Sequence, residues 1–128
     1  MHLRQDFSMS ESPFLKSKKI HENDFAFSIC DNYPVSEGHM LVIPKRVVAE
    51  IFDLTDEEYN ACFELVREVR DYLSEKFNTQ SFNVGVNCGL EAGQTIFHAH
   101  IHVIPRYLGD VENPRGGIRH VIPDKADY

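Results

Sequence analysis

The chain has 128 residues, of which 42% are hydrophobic and 26% charged, a composition typical of one soluble folded domain. Its formal net charge is −7, whereas a protein that binds the nucleic-acid backbone usually carries a positive balance. The sequence shows neither an apolar run of membrane-spanning length nor a signal-peptide pattern in its first nineteen residues. We therefore expect a cytoplasmic protein whose partners include no nucleic acid and no membrane.

The three cysteines, Cys30, Cys62 and Cys88, lie far apart in the chain. None forms a C-x-x-C pair, so the sequence predicts neither a cysteine-based zinc site nor a thioredoxin-type motif. Free cysteines often pack as small hydrophobic residues. The spacing therefore favours reduced thiols without a catalytic role.

In chain order, the first predicted feature is a loosely ordered arm over residues 1–19. A short strand is expected within residues 18–22. Apolar runs over residues 25–30 and 38–43 predict two strands that pair antiparallel, and Pro44 is expected to end the second.

One long helix follows the strand pair. Thr55 and Glu58 form the capping-box pattern at its start. Apolar residues then recur at helical spacing and predict one face packed on a core. The predicted stripe consists of Tyr59, Cys62, Phe63, Val66, Val69, Leu73 and Phe77.

Two further strands are expected after the helix, over residues 81–87 and 97–104, with Pro105 closing the second. Residues 107–128 contain prolines and a Gly-Gly pair, which predict an extended tail. The whole chain, residues 1–128, is expected to be a single α+β domain. Its antiparallel sheet would have about five strands, accompanied by one long helix and a short one.

Three histidines alternate with apolar residues in the last predicted strand. Because positions i, i+2 and i+4 of a strand share one face, their imidazoles are expected to project together while the apolar residues enter a core. Such a face could supply a nucleophile with anion-binding neighbours, or metal ligands, or only a surface cluster. The alternating residues are His98, Ala99, His100, Ile101, His102 and Val103.

Two separated segments resemble the histidine triad family of nucleotide hydrolases and transferases. Residues 93–106, GQTIFHAHIHVIPR, are similar to the family signature, and residues 38–45, GHMLVIPK, are similar to an upstream family strand. Asp31 lies eight residues before His39, where the family keeps an Asp or Asn. The resemblance covers about residues 20–107. It implies a histidine triad-like fold and, because the third histidine is present, the hydrolase side of the family.

The resemblance also implies roles for four histidines. His100 matches the family nucleophile, which attacks an α-phosphate and forms a nucleotidyl-histidine intermediate. His102 matches the histidine that contacts this phosphate. His98 and His39 match histidines that support the site through hydrogen bonds.

Five further residues are implied as substrate-binding residues. Gln94 and Thr95 match positions near the phosphate bridge and the leaving group. Asn87 matches a residue that contacts phosphate or ribose, and Asp31 matches the carboxylate that receives the ribose hydroxyls. Ile29 should face the same way as Asp31 and line the base pocket.

The expected activity is hydrolysis of a nucleotide conjugate to a nucleoside monophosphate, with no cofactor required. A dinucleoside polyphosphate is the first substrate class expected, and a nucleoside phosphoramidate or adenylylated adduct is the second. The resemblance implies a homodimer. Arg115 and Arg119 could reach the leaving group, or the tail that carries them could pack on the dimer partner.

Two alternatives from other functional classes stay open at this point. In the first, His98, His100 and His102 are the ligands of a metal-dependent hydrolase. In the second, the chain is a nucleotide-binding regulator with little catalysis.

Overall fold

The computed structural model describes residues 12–128, which form a five-stranded antiparallel sheet and one long α-helix. The sheet order is β1-β2-β3-β5-β4. This arrangement confirms the α+β class, the five strands and the long helix. The elements are β1 (His21–Glu22), β2 (Ala26–Cys30), β3 (Met40–Pro44), α1 (Asp56–Phe77), β4 (Ser81–Gly85) and β5 (Ile101–Arg106).

The short helical segments of the described chain are 3-10 turns rather than a second α-helix. There are four of them within residues 12–128: Pro13–Lys16, Ile51–Asp53, Leu90–Ala92 and Gly117–Val121. The first and last matter for the site described below. No helix in this part of the chain combines the length and apolar character needed to cross a membrane.

Helix α1 begins where the capping box predicts. The Thr55 hydroxyl accepts a hydrogen bond from the Glu58 amide at 3.2 Å, and the Glu58 carboxylate accepts one from the Thr55 amide at 2.9 Å. Arg46 also donates two hydrogen bonds to Glu58, at 2.8 and 2.9 Å. These bonds lower the pKa of Glu58 to about 2. The helix ends at Phe77, and the following residue, Asn78, adopts a left-handed conformation with φ of 53°.

The apolar stripe of α1 is only partly as predicted. Tyr59 and Phe63 remain 38% and 37% exposed and pack on each other, with ring centroids 5.0 Å apart. Ala61 and Leu65, outside the predicted stripe, are buried instead. The stripe positions that are buried as expected are Cys62, Val66, Val69 and Leu73.

The two faces of the sheet serve different purposes because side chains alternate along each strand. Helix α1 covers one face, where it packs on Ala26, Met40, Val42, Ile101 and Val103. A second buried cluster lies on the other face and consists of Phe14, Phe27, Ile29, Leu41 and Ile43. His102 alternates with Ile101 and Val103 and therefore lies on this second face, away from α1.

Strand β5 does not occupy the predicted range. It begins at Ile101 instead of residue 97, and Pro105 continues the ladder by pairing with Phe82. Before the strand, the Ala99 amide donates to the Val48 carbonyl at 2.8 Å, in the segment that follows β3. His98 and His100 therefore precede the regular strand, and the strand alternation rule applies only from residue 101.

Both expected terminal segments need correction. Residues 1–11 lie outside the described residues, but residues 12–19 are not a loose arm, because Ser12 and Phe14 are buried around the turn Pro13–Lys16. The tail is not extended either. It folds back so that Gly117–Val121 contacts β4, and Ala126 is 2% exposed.

Candidate active site

Two histidines on neighbouring strands form a hydrogen-bonded pair whose proton positions follow from the backbone. His39 immediately precedes β3, and His102 lies on β5 opposite Leu41. The Val35 amide donates to His39 Nδ1 at 3.1 Å, so this nitrogen carries no proton. His39 Nε2 therefore carries the proton and donates to His102 Nδ1 at 2.9 Å. Consequently His102 Nε2 is protonated and can donate to an anion.

His100 has the opposite arrangement of donor and acceptor. Its Nδ1 lies 2.8 Å from the carbonyl oxygen of His98. A carbonyl only accepts, so His100 Nδ1 carries the proton and Nε2 holds a lone pair. The ring of His100 lies beside that of His102, with centroids 5.2 Å apart. The site thus places a nitrogen nucleophile next to a hydrogen-bond donor.

His98 supports this arrangement from the interior. It is fully buried; its Nε2 donates to the Pro44 carbonyl at 2.7 Å, and its Nδ1 accepts from the Ser12 hydroxyl at 2.5 Å. The expectation that all three imidazoles share one accessible face is therefore wrong for His98. Its side chain is taken up by internal partners, while its carbonyl orients His100.

Ser12 and Phe14 are site-supporting residues that sequence analysis missed. The Phe14 ring contacts the rings of His98 and His100, with centroid distances of 5.7 and 4.9 Å. Both residues lie in the segment assigned to the arm. The signal available in the sequence was the apolar pair Phe14-Leu15 within an otherwise polar stretch.

Burial keeps the site histidines neutral. Desolvation is the largest cause that lowers the pKa of His39, His98 and His100 below the usual value. The pKa of His102 is lowered to about 4 by desolvation together with neighbouring His100 and His39, and this value already includes the opposing effect of the Asp31 charge. All four imidazoles are therefore uncharged at pH 7, as the hydrogen-bond directions require.

Asp31 adds a negative charge beside the histidine pair. One of its carboxylate oxygens lies 3.4 Å from His39 Nε2 and 3.9 Å from His102 Nδ1. The other accepts a hydrogen bond from the Tyr33 amide at 2.7 Å. The structure thus brings Asp31, His39 and His102 together, as the resemblance implies.

These three residues are also the group that could hold a metal ion within the described part of the chain, with ligand atoms within 4.8 Å of one another. The amide of Val35 opposes this use, because His39 would have to release that hydrogen bond before Nε2 could offer a lone pair. The alternative in which His98, His100 and His102 hold a metal does not fit. Both ring nitrogens of His98 already have internal partners.

Two of the expected substrate contacts are occupied in the interior and need correction. Gln94 is 2% exposed; its amide donates to the carbonyls of Ala49 and Ile96, and its oxygen accepts from the Gly89 amide. The Gln94 side chain therefore stabilises the loop before His98 through these hydrogen bonds, and it is not available to bind a phosphate. Ile29 is 1% exposed and belongs to the buried cluster with Phe14, so it is a core residue rather than an available base contact.

Asn87 and Thr95 lie at accessible positions, and their assignment as substrate contacts stays a prediction. Asn87 lines a cavity of about 690 Å³ together with His39 and His102. Thr95 is exposed in the loop after Gln94.

The tail arginines do not point to a phosphate site. The Arg119 guanidinium donates to the carbonyls of Lys125 and Ala126, at 3.0 and 3.3 Å. Arg115 and Arg119 both stack on the Tyr128 ring, 4.8 and 5.0 Å from its centroid. Both guanidinium groups make contacts within the tail, which disfavours the first of the two alternatives, in which they reach the leaving group.

The similarity to known proteins agrees with this fold and site. Residues 13–109 match the HIT domain, and the chain belongs to this family. A crystal structure of a HIT family protein from Bacillus anthracis superposes with a TM-score of 0.71 and 36% identity, covering 76% of this chain and 74% of the other.

Two curated relatives are named as hydrolases. A bis(5'-adenosyl)-triphosphatase of Dictyostelium discoideum is 36% identical over 98 residues, covering 77% of this chain and 66% of the relative. An adenylylsulfatase of Arabidopsis thaliana is 38% identical over 96 residues, covering 75% and 47%. The match thus spans less than two thirds of the length of either relative.

Proposed function

We propose that the chain is a nucleotidyl hydrolase in which His100 Nε2 attacks the α-phosphorus of a nucleotide conjugate and a nucleoside monophosphate is released. The observation that carries this proposal is the hydrogen bond from His100 Nδ1 to the His98 carbonyl, because it leaves the lone pair on Nε2. The relatives that are named as a bis(5'-adenosyl)-triphosphatase and an adenylylsulfatase support the reaction class.

The first step forms a bond between His100 Nε2 and phosphorus and breaks the bond from phosphorus to the leaving group. The leaving group departs with the bonding electron pair. His102 Nε2 donates a hydrogen bond to a phosphate oxygen, whose negative charge grows in the transition state. Because His102 is held through His39 by the Val35 amide, its donor is oriented before the substrate arrives.

The second step is attack of water on the nucleotidyl-histidine. The water oxygen bonds to phosphorus, the N–P bond breaks and its electron pair returns to His100 Nε2; a water proton passes to solvent. In the intermediate the imidazole ring is positively charged while Nδ1 keeps its proton. The His98 carbonyl stabilises this charge, since a hydrogen bond from a charged donor is stronger than one from a neutral donor.

Substrate contacts extend this proposal beyond the histidines. Asp31 offers a carboxylate to the ribose hydroxyls, and Asn87 offers an amide at the edge of the cavity that contains His102. A dinucleoside polyphosphate and a nucleoside phosphoramidate both present the α-phosphate that this chemistry requires. No cofactor takes part in either step.

The proposal includes a homodimer. Strand β4 is at the edge of the sheet, and its residue Val84 is 42% exposed on the same side as α1. Tyr59 and Phe63 add exposed aromatic surface on the helix. A strand edge that carries an exposed apolar side chain, and exposed aromatic rings on a helix, are the kinds of surface that a second copy can cover.

Replacement of the proposed nucleophile tests the function. His100→Ala should lower turnover of diadenosine tetraphosphate and of an adenosine phosphoramidate by at least about a thousandfold, since it removes the covalent route. Adenosine monophosphate binding, measured by calorimetry, should change little. His21→Ala, on β1 at the sheet edge opposite β4, is the matched control and should keep wild-type turnover. Undiminished turnover by His100→Ala would contradict the proposal.

A further inference from the structure

The loop between β2 and β3, residues 31–39, carries two residues of the site at its ends. The Asp31 amide donates to the His39 carbonyl at 3.0 Å and closes this loop. Inside the loop, the Val35 amide donates to His39 Nδ1 at 3.1 Å, and the His39 amide donates to the Ser36 carbonyl at 3.2 Å. The conformation of the β2–β3 loop therefore decides which nitrogen of His39 carries the proton.

The outer part of the β2–β3 loop has little packing of its own. Tyr33 and Val35 are 88% and 73% exposed. An exposed segment with few buried contacts opens readily, and an amide in it can exchange its partner for water. The bond from the Val35 amide to His39 therefore depends on contacts that fasten the loop to the rest of the molecule.

Two hydroxyl groups fasten the loop to the end of β5. The Ser36 hydroxyl donates to the Pro105 carbonyl of β5 at 2.7 Å. The hydroxyl of Tyr107, which follows β5, donates to the Glu37 carbonyl at 2.6 Å. Because these bonds join two consecutive loop residues to the sheet, they oppose a movement of the loop away from it.

Gly38 limits movement in the opposite direction. A Cβ atom at this residue would lie 2.7 Å from the Phe77 ring of α1 and 3.3 Å from the Pro105 ring, and its φ of 89° is left-handed. The loop backbone is thus already in close contact with α1 and β5 and cannot move inward. Only outward movement is open to the loop, and the two hydroxyl bonds restrain that movement.

Ser36 has the most direct connection to His39 of these anchors. Its carbonyl accepts the His39 amide, and its neighbour Val35 supplies the amide bound to Nδ1. Without the Ser36 hydroxyl, the loop can move outward and release His39 Nδ1, which can then take the proton. His102 would in turn donate to His39 Nε2 from Nδ1 and keep a lone pair on its own Nε2. A lone pair at this position repels a phosphate oxygen.

Resting on the proposed function, we propose that Ser36 is a positioning residue, whose hydroxyl bond to β5 holds the loop so that the Val35 amide keeps His102 in the form that donates to the phosphate. Asp31 favours the same form, because its carboxylate lies 3.4 Å from His39 Nε2 and attracts the proton there. Loss of the Ser36 hydroxyl therefore slows the first step without abolishing it.

Single-turnover kinetics with α-labelled diadenosine tetraphosphate test this role. Ser36→Ala should lower the rate constant of label transfer to His100 by about tenfold, less than the loss caused by removing an oxyanion donor entirely. The substrate concentration for half-maximal rate should stay within about threefold, because the donor contributes mainly in the transition state. Ser36→Thr keeps the hydroxyl and should restore the rate, since residue 36 lines a cavity of about 520 Å³ that has room for a methyl group.

Thr79→Val is the matched control for the loss of a hydroxyl. The Thr79 hydroxyl donates to the carbonyl of Arg106, the next residue of β5, at 2.6 Å, but it does not join β5 to the β2–β3 loop. Both Thr79 and Ser36 are half-buried, so a general loss of stability would affect the two variants alike. Only Ser36→Ala should slow label transfer.

Nitrogen NMR of protein with isotope-labelled histidine reads the His39 proton without any turnover. In the wild type and in Thr79→Val, His39 Nδ1 should give the signal of an unprotonated nitrogen. Ser36→Ala should move this signal towards that of a protonated nitrogen, and Ser36→Thr should return it.

The outcomes separate this proposal from the proposed function. An unchanged His39 signal in Ser36→Ala, or equal slowing in Ser36→Ala and Thr79→Val, would overturn the positioning role while leaving His100 chemistry intact. Absence of turnover in the wild type would contradict the proposed function, and the NMR comparison would still test Ser36. Should Ser36→Ala fail to fold by circular dichroism, Tyr107→Phe removes the second hydroxyl anchor and should change both readouts in the same direction.

Discussion

At the residue scale, backbone groups decide which nitrogen of each histidine reacts. The Val35 amide fixes the proton of His39, and the carbonyls of His98 and Pro44 fix those of His100 and His98. An amide can only donate and a carbonyl can only accept, so the donor and acceptor roles follow without further assumption. The pattern of histidines in the sequence indicates a site, but it does not contain these backbone partners.

The buried bond from Ser12 to His98 gives a first prediction. Ser12→Ala removes the hydroxyl donor and leaves His98 Nδ1 as a buried acceptor without this partner. We expect a loss of about 1–3 kcal/mol in the free energy of unfolding, the usual cost of an unsatisfied buried group. Urea denaturation measures it, with Ser17→Ala in the same segment as the control. Equal stability of both variants would contradict the role assigned to Ser12.

The lowered histidine pKa values predict the acid limb of the activity. Because burial holds the pKa values of His100 and His102 below about 6.5, turnover should be flat at neutral pH and fall only at more acidic pH, as these imidazoles take up protons. The charge of Asp31 raises both pKa values towards normal. Asp31→Asn should therefore move the acid limb of kcat to lower pH, in steady-state measurements with saturating substrate.

The sign of that shift is the test. Asp31→Glu keeps the charge and should keep the limb close to its wild-type position. An acid limb that moves to higher pH in Asp31→Asn would contradict the electrostatic role of Asp31.

At the element scale, local signals were predictable and tertiary ones were not. The capping box of Thr55 and Glu58 lies within four residues, so sequence alone placed the start of α1 correctly. The start of β5 depends on the contact between Ala99 and Val48, which are distant in sequence. The segment around Phe14 is likewise folded because it packs against the sheet. Secondary-structure propensities of the residues in this segment do not predict that contact.

The difference between local signals and tertiary contacts also explains why only some of the site residues were predicted correctly. The resemblance identified His39, His98, His100, His102 and Asp31, and the structure brings them together. It did not show that Gln94 is buried in the loop or that Ile29 belongs to the core. Those outcomes depend on which backbone groups and apolar side chains lie nearby in the fold.

The ion pair between Arg46 and Glu58 at the start of α1 makes a pH-dependent contribution to the free energy of unfolding. The Arg46 guanidinium holds the pKa of Glu58 at about 2, below the value of an unfolded chain. This contribution is therefore complete above about pH 4.5 and is lost as pH falls towards 2. Glu58→Gln should be less stable than wild type at pH 7 by about 1 kcal/mol. This is the usual cost of weakening a helix cap and losing a hydrogen bond to a charged group.

The difference between the two proteins should shrink between pH 4.5 and 2, when urea midpoints are compared across this range. Glu57→Gln, one residue earlier on the exposed side of the helix, is the control and should not show this trend. A constant difference between wild type and Glu58→Gln would contradict the ion pair as its source.

At the scale of the whole molecule, the two faces of the sheet pack against different parts of the chain. Helix α1 covers one face, while the first 3-10 turn and the folded tail flank the histidines on the other. Strand β4 remains at the edge, with Val84 exposed. The proposed homodimer would cover this exposed side chain at the edge of the sheet.

The proposed homodimer is tested at this edge. Wild-type protein should have about twice the 14.7 kDa mass of one chain by light scattering. Val84→Asp should shift the population to monomer, because a carboxylate would be buried without a partner in the interface. Val111→Asp, at a similarly exposed tail position, should remain dimeric. A monomeric wild type, or a fully dimeric Val84→Asp, would contradict this interface.

The central claim is that His100 forms a covalent bond to the nucleotide, and rapid alkaline quench with an α-labelled substrate tests it most directly. We expect a labelled protein that is stable to alkali, labile to acid and absent in His100→Ala, formed at least as fast as steady-state turnover. Turnover without any protein-bound label in the wild type, or equal label in His100→Ala, would contradict the mechanism.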